Sequence, residues 1–243
     1  MSIPGSFRDV RTVAVLLGLG AVAYTAWVLE VVMATGLDPI RTYVSELAAE
    51  DQPLGGLFRA TDLAAGLLVL AGALWAVLRL RPHRPWARVG WAGLILFGAA
   101  TAADSRLPLS CTPTADPECA IRETADLVPA THTAHAVSSS LSVTGALIGI
   151  VALTVAARRY RVWEPLARLG PWIVGLELAV TAWTLASVAA FQAGKGTMLL
   201  GLGQRMQVLL IALWLALFAF SLLKRERRRV LPPVQPSPVL ERR

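Results

Sequence analysis

Six long apolar stretches limit what this chain can fold into more than any other feature of its sequence. They lie at about residues 12–35, 57–78, 86–103, 135–157, 169–191 and 203–223. An α-helix rises about 1.5 Å per residue, so about 20 apolar residues cross a hydrocarbon core of about 30 Å. Backbone groups exposed to lipid must find their hydrogen bonds within their own helix. The sequence therefore predicts an all-α integral membrane bundle of six transmembrane helices.

The composition supports this class and argues against a nucleic-acid-binding protein. Of the 243 residues, 55% are hydrophobic and 16% are charged, which is too apolar for a soluble domain of this size. The net charge is +7, but the basic residues form short clusters between apolar runs and do not alternate with aromatic residues. We therefore expect membrane lipids as partners and no nucleic acid.

The basic residues also predict how the chain lies in the cell membrane. With both termini in the cytoplasm, 17 of the 23 lysines and arginines lie on the cytoplasmic side, as the positive-inside rule requires. The loops at residues 36–56, 104–134 and 192–202 are then extracytoplasmic. Residues 1–223 form the transmembrane domain, and residues 224–243 are predicted to be a basic, proline-rich, disordered cytoplasmic tail.

Two cysteines, Cys111 and Cys119, are the only ones in the sequence, and both lie in the second predicted extracytoplasmic loop. An oxidising exterior lets a disulfide persist, and a short closed ring would restrain the loop over the helix ends. Structural zinc sites favour closer cysteine spacing and a second pair, which this sequence lacks. We therefore predict a Cys111–Cys119 disulfide.

Two histidines mark the start of the fourth predicted span. His132 and His135 are three residues apart and, in helical geometry, share a face with Ser139 and Ser142. With Asp104, at the end of the preceding span, the imidazoles could hold a divalent metal such as zinc or act as a catalytic acid/base cluster. A structural alternative is that the histidines cap the helix and bond to loop carboxylates.

Further polar residues are predicted at the same membrane face or within the spans. Asp62 is a second carboxylate that could complete a catalytic cluster with the histidines. Glu177 is predicted near the middle of the bilayer, where a charge is costly and therefore suggests function. The candidate ligand-binding residues are Ser45, Glu46, Arg59, Gln204, Arg205, Glu30 and Glu177.

Part of this pattern resembles a known family. The residues that carry the resemblance are Tyr43-Val44-Ser45-Glu46-Leu47-Ala48, Pro53, Leu57-Phe58-Arg59, Asp62 and Gly66, followed by an aspartate that closes the third span and a histidine that opens the fourth. Over roughly residues 13–223 the chain resembles the bacterial membrane family catalogued as domain of unknown function 998. The resemblance implies a multi-pass membrane fold and assigns no activity.

A more distant resemblance concerns the serine, aspartate and histidines at one membrane face. They look like the alkaline ceramidase and progestin-receptor superfamily, whose members are zinc-dependent lipid amidases with seven spans. This chain departs from that pattern: it has six predicted spans, two histidines on the predicted outer face where that superfamily uses three, and an H-x-x-H spacing in place of H-x-x-x-H.

Together these features predict a polar pocket at the extracytoplasmic face, among the second to sixth spans and under the disulfide-closed loop. The expected function is recognition of a lipid or another amphiphile. One alternative is a metal-dependent or acid/base hydrolase or transferase acting on such a ligand. Others are an accessory subunit bound to a membrane-protein partner and a small-solute transporter with Glu177 as proton carrier. The sequence is also compatible with a homo-oligomer.

Overall fold

The computed structural model describes residues 6–230, and side chains for residues 6–225. Within that range the chain is all-helical and contains no strand, which confirms the predicted fold class. The α-helices are α1 (Phe7–Tyr24), α2 (Gly55–Trp75), α3 (Pro85–Asp104), α4 (Pro117–Thr124), α5 (Ala130–Arg159), α6 (Glu164–Gln192) and α7 (Leu200–Val230).

Six of these helices are long and apolar enough to cross a membrane, which fits a multi-pass membrane protein. They are the helical stretches Phe7–Val31, Gly55–Leu80, Pro85–Asp104, Ala130–Arg159, Glu164–Gln192 and Leu200–Arg225. The exception is the short helix α4, which the sequence analysis did not predict. Its start carries a recognisable signal, because the Asp116 side chain accepts a hydrogen bond from the Glu118 N–H and Pro117 occupies the first helical position.

Most helix ends differ from the sequence prediction by a few residues, and two of them differ in a way that changes the structure. The first span was predicted to continue to residue 35, but α1 ends at Tyr24 and a 3-10 helix follows at Ala26–Val31. At this point the Thr25 N–H and Oγ1 both donate to the Val22 carbonyl, three residues back, which tightens the turn. At the other end of the chain, α7 continues to Val230, so residues 224–230 of the predicted tail are helical. The rest of that tail, residues 231–243, lies outside the described residues.

The six long helices form a closed ring in which each packs against its neighbours in the chain. Contacts run from α1 to α2, α3, α5, α6 and α7, and α7 closes the ring by packing on α1. Short connections between antiparallel helices produce the sequential part of this order. The closure brings the first and last spans together, so that α7 can contribute to the same site as α2 and α3.

Glycines allow α2, α3 and α5 to approach each other closely. A Cβ atom added at Gly66 of α2 would lie 2.5 Å from the Ala102 backbone nitrogen of α3, and one added at Gly93 of α3 would lie 2.5 Å from the Gly149 nitrogen of α5. Small residues at helix crossings are the usual way for helices to pack in a membrane. These contacts fix the lateral positions of Asp62, Asp104 and His135, which lie on the three helices concerned.

The two ends of the bundle differ in character. Aromatic side chains fill its centre towards the arginine-rich end, where Phe218 lies 5.1–5.3 Å, between ring centroids, from Trp91, Trp163 and Trp214. At the opposite end, which we call the polar end, residues 32–54 and 105–129 connect the helices. The polar residues singled out in the sequence lie towards this second end.

Candidate functional site

A cavity of about 140 Å³ lies between the helices at the polar end. Its polar lining residues are Ser45, Asp62, Thr101, Asp104, Ser139, Ser142, Gln204 and Gln207, and the others are Tyr24, Trp27, Val44, Leu47, Phe58, Val143 and Val208. The sequence predicts a pocket among the second to sixth spans. The cavity lies among these helices, but the first span also lines it, through Tyr24 and Trp27, whereas α6 does not.

Asp104 is the centre of a hydrogen-bond cluster on one wall of the cavity. Its carboxylate accepts a hydrogen bond from Ser138 Oγ and another from Ser139 Oγ at 3.0 Å, and its Oδ1 lies 3.1 Å from His135 Nδ1. The first two donors are consecutive residues of α5, and Asp104 is the last residue of α3. The close packing of α3 on α5 therefore gives this carboxylate three donors.

The surroundings of His135 determine which of its ring nitrogens carries the proton in the neutral side chain. Nδ1 faces two acceptors, the Asp104 carboxylate and the Leu107 carbonyl oxygen at 3.0 Å. A nitrogen between two acceptors must donate, so Nδ1 is protonated and Nε2 carries the lone pair. Nε2 lies 3.3 Å from Ser139 Oγ. His135 thus connects an acidic group to a hydroxyl that lines the cavity.

Asp62, on the neighbouring helix α2, has no such partners. Within the described part of the chain it makes no hydrogen bond or ion pair, although it lines the cavity. Arg59, one turn earlier in α2, donates instead to the carbonyl oxygens of Ala48 at 2.7 Å and Ala49 at 3.2 Å. Arg59 therefore anchors the loop before α2 and leaves the Asp62 carboxylate facing the cavity.

His132 does not join this cluster. Its Nδ1 accepts a hydrogen bond from the Ser110 N–H at 3.1 Å, and its Nε2 lies 3.8 Å from Glu123. Between residues 6 and 225, no three His, Cys, Asp or Glu side chains are grouped so that they could hold a metal ion. The predicted set of His132, His135 and Asp104 thus divides in two: His132 packs on the disulfide loop, while the other two face each other.

The predicted disulfide is confirmed. Cys111 and Cys119 are bonded with their Cα atoms 6.0 Å apart, and both side chains are buried. The bond ties the start of α4 to the segment that follows Ser110, which is the residue held by His132. This arrangement orders the loop beside the cavity.

Glu46 joins the two loops of the polar end. It is fully buried, and its carboxylate accepts hydrogen bonds from the Thr114 N–H at 2.7 Å, from Thr114 Oγ1 and from the Tyr43 N–H at 3.0 Å. Burial raises the pKa of the Glu46 carboxyl from its ordinary 4.5 to about 7, against the effect of these hydrogen bonds. Glu46 itself does not line the cavity, but its neighbour Ser45 does.

The raised pKa of Glu46 predicts a pH-dependent stability. Because the folded state favours the protonated carboxyl, this contribution is fully present below pH 4.5 and is lost as the pH rises through about 7. Between pH 4.5 and about 7, this effect changes the free energy of unfolding by up to about 3 kcal/mol. We expect Glu46→Gln to abolish that change. Thermal unfolding in detergent at several pH values measures it. The exposed Glu50→Gln is the control and should keep the wild-type slope; an unchanged slope in Glu46→Gln would contradict the assignment.

Glu30 and Arg205 form a buried ion pair beside the cavity. Arg205 Nε and Nη2 each lie 2.6 Å from a Glu30 carboxylate oxygen, and both side chains are almost fully buried, at 6% and 5% exposure. Arg205 Nη1 also donates to the carbonyl oxygens of Thr42, at 2.9 Å, and Gly201, at 3.1 Å. The pair thus fixes the loop after the first span to the start of α7, and neither residue lines the cavity.

Glu177 is buried in α6 and lies behind the cavity wall. Its Oε1 accepts a hydrogen bond from Thr181 Oγ1 at 3.3 Å, and Oε2 has no partner among the described residues. Thr181 in turn accepts from Gln207 Nε2 at 2.8 Å, and Gln207 lines the cavity. Gln204, one turn earlier on α7, accepts from the Val44 N–H at 2.9 Å.

Several lining residues were not assigned to the site from the sequence. Ser139 was predicted only to share the helix face of the histidines, four residues after His135, and no role was given to it. Thr101 had a usable signal, at three residues before Asp104. Tyr24 and Trp27 had none, because aromatic residues within an apolar span are normally part of the core or face lipid.

Comparison with known proteins places the whole site inside one family region. The model of a family described as "Protein of unknown function (DUF998)" matches residues 17–221. A search of curated proteins and a search of solved structures found no match. The matched region includes every cavity-lining residue and the disulfide-closed loop.

Proposed function

The chain belongs to the DUF998 family, and we propose that it recognises the polar headgroup of a lipid or another amphiphile in this cavity, at the extracytoplasmic face of the cell membrane. The observation that carries the proposal is the Asp62 carboxylate, which faces the cavity without a partner from the described residues. A half-buried carboxylate in apolar surroundings is costly unless a donor satisfies it. A bound headgroup would supply that donor.

The size of the cavity and its surroundings fit part of an amphiphile. A volume of about 140 Å³ accommodates a headgroup of a few non-hydrogen atoms. Next to Trp27, the exposed side chains of Val28, Leu29, Val31 and Val32 form an apolar surface at the end of the first span. An acyl or alkyl chain would lie along this surface while its headgroup enters the cavity.

The lining chemistry favours a headgroup that donates hydrogen bonds. Asp62 and Asp104 are acceptors when ionised, and the rings of Tyr24 and Trp27 contribute to the same cavity. Aromatic faces combined with carboxylates are the usual surroundings of an ammonium ion. We therefore propose an amine-containing headgroup as the preferred ligand class, with a hydroxyl headgroup as the weaker one.

The orientation of the protein in the membrane, as proposed here, follows from the distribution of its positive charge. The arginine-rich connections lie at the end of the bundle opposite the cavity, and such connections are retained in the cytoplasm. A headgroup would then reach the cavity from the outer leaflet.

A binding experiment with matched probes tests the proposal. Purified protein in amphipol is titrated by calorimetry with hexadecylamine, hexadecanol and hexadecyl sulfate, which share one chain and differ in headgroup. We expect the amine to bind most tightly, and Asp62→Asn to weaken its binding at least about tenfold, equivalent to 1.4 kcal/mol. Asp38→Asn, which changes an exposed carboxylate outside the cavity, should bind like wild type. Equal binding of the amine by wild type and Asp62→Asn would refute the proposal.

A further inference from the structure

We propose that Ser139 is the nucleophile of an acyl-transfer site in the cavity, with His135 as its base and Asp104 as the residue that positions the base. The proposal rests on the function proposed above, because the substrate is an amphiphile that carries an ester-linked acyl chain and whose headgroup the cavity binds. Nucleophilic serine catalysis requires a hydroxyl beside a base whose second nitrogen is oriented by a third group. The three side chains supply these parts in the required order.

The direction of each hydrogen bond supports these roles. His135 Nδ1 is 3.1 Å from Asp104 Oδ1, and Nε2 is 3.3 Å from Ser139 Oγ. Because Nδ1 also faces the Leu107 carbonyl oxygen, the neutral ring has its lone pair on Nε2, directed at the serine. His135 is buried, whereas Ser139 is half-buried and lines the cavity. A substrate in the cavity can therefore reach the hydroxyl without displacing the imidazole.

The serine proton has a second acceptor, Asp104 Oδ2 at 3.0 Å. This competition does not prevent transfer to Nε2. Asp104 keeps the hydrogen bond from Ser138 Oγ and the contact with His135 Nδ1 when Ser139 turns towards the ring. The positive charge that forms on His135 then faces the carboxylate, which stabilises it.

Donors for a developing oxyanion line the same cavity. Gln204 accepts the Val44 N–H with its Oε1, which fixes the amide and leaves its Nε2 without an acceptor among the described residues. Trp27 Nε1–H is buried and likewise has no partner there. Unpaired N–H donors in the same cavity as the serine hydroxyl are what tetrahedral intermediates of acyl transfer need.

The chemistry balances with water as the only co-reactant. Ser139 Oγ attacks the ester carbonyl carbon while its proton moves to His135 Nε2. The carbon–oxygen bond to the alcohol breaks, and the alcohol leaves with that proton, which gives an acyl-serine. Water then attacks the same carbon, passes a proton to Nε2, and the acid leaves as the proton returns to Ser139 Oγ.

An activity-based probe tests the nucleophile directly. Folded protein in detergent is incubated with an alkyl fluorophosphonate, which forms an oxygen–phosphorus bond to an activated serine and releases fluoride. Mass spectrometry of the labelled peptide locates the adduct. We expect labelling at Ser139, no adduct in Ser139→Ala, and a rate about 100-fold lower in His135→Ala. Ser140→Ala, which removes an exposed neighbour bonded only to the Ala136 carbonyl, should label at the wild-type rate.

Two further measurements keep the outcomes separate. Ser139→Cys should react with iodoacetamide faster than the double variant with His135→Ala, because the imidazole promotes the thiolate; equal rates would overturn the role of His135. Wild-type protein that is labelled no faster than Ser139→Ala, or only at another serine, overturns the nucleophile. If hexadecylamine binds without Ser139 labelling, the acyl-transfer site is refuted and the binding proposal stands. If labelling occurs without binding of any of the three amphiphiles, the binding proposal and the substrate class drawn from it are refuted, and the nucleophilic serine stands.

Discussion

Arg205→Met is expected to destabilise the folded protein by about 3–5 kcal/mol, because it leaves the Glu30 carboxylate buried without its partner. The guanidinium makes two contacts of 2.6 Å with that carboxylate. It also donates to the carbonyl oxygens of Thr42 and Gly201, so its loss removes two further hydrogen bonds. Thermal or denaturant unfolding in detergent should show the largest loss among single charge-removing variants.

A double variant distinguishes a broken pair from a general packing defect. Replacing both charges, as in Arg205→Met with Glu30→Met, removes the uncompensated carboxylate and should recover part of the lost stability. The matched control is Arg41→Met, which removes an exposed ion pair with Asp38 whose side chains are 72% and 50% accessible. An exposed pair contributes at most about 1 kcal/mol. If Arg205→Met destabilises no more than Arg41→Met, the ion pair does not hold the loop on α7.

The features that the sequence predicted well are those set by local chemistry. Apolar runs of sufficient length gave the six spans, because a helix in lipid must satisfy its own backbone. The disulfide followed from Cys111 and Cys119 sharing one loop. Asp62 and Asp104 were also predicted at the same boundary, since each lies at the corresponding end of its span.

The features that the sequence predicted poorly depend on how the helices pack against one another. His132 and His135 share a helix face, but a rise of about 1.5 Å per residue places His132 about 4.5 Å nearer the loops, where the Ser110 N–H meets its ring. The first span lines the cavity because the ring closes between α1 and α7, and no local pattern encodes that closure. Glu30 and Arg205, 175 residues apart in the chain, meet for the same reason.

One packing feature did have a sequence signal. Gly145 and Gly149 form a G-x-x-x-G pattern within an apolar helix, which is typical of close helix crossings. A Cβ added at Gly145 would lie 2.5 Å from the Phe97 nitrogen of α3. The pattern could have predicted that α5 packs tightly on another span, although not on which one.

Glycines also lie where α2 and α3 cross. Gly66→Ala and Gly98→Ala are each expected to destabilise the protein by about 3 kcal/mol, at the upper end of overpacking effects. The new methyl group would lie 2.5 Å from the Ala102 nitrogen in the first case and 2.6 Å from the Leu70 nitrogen in the second. Helix backbone cannot yield locally as a flexible side chain can, so the two helices must separate.

Separation of α2 from α3 would also change the cavity, because Asp62 lies one turn before Gly66 and Asp104 follows Gly98 on the same helix. We therefore expect both glycine variants to bind hexadecylamine more weakly even where they remain folded. Gly175→Ala on α6 is the control, since no atom lies within 4 Å of its added Cβ; it should be no less stable than wild type and bind like it. Unfolding curves and calorimetric titrations on the three variants measure both effects. Wild-type stability in Gly66→Ala would show that the crossing is looser than its 2.5 Å contact implies, and the positions of the two carboxylates would then need another explanation.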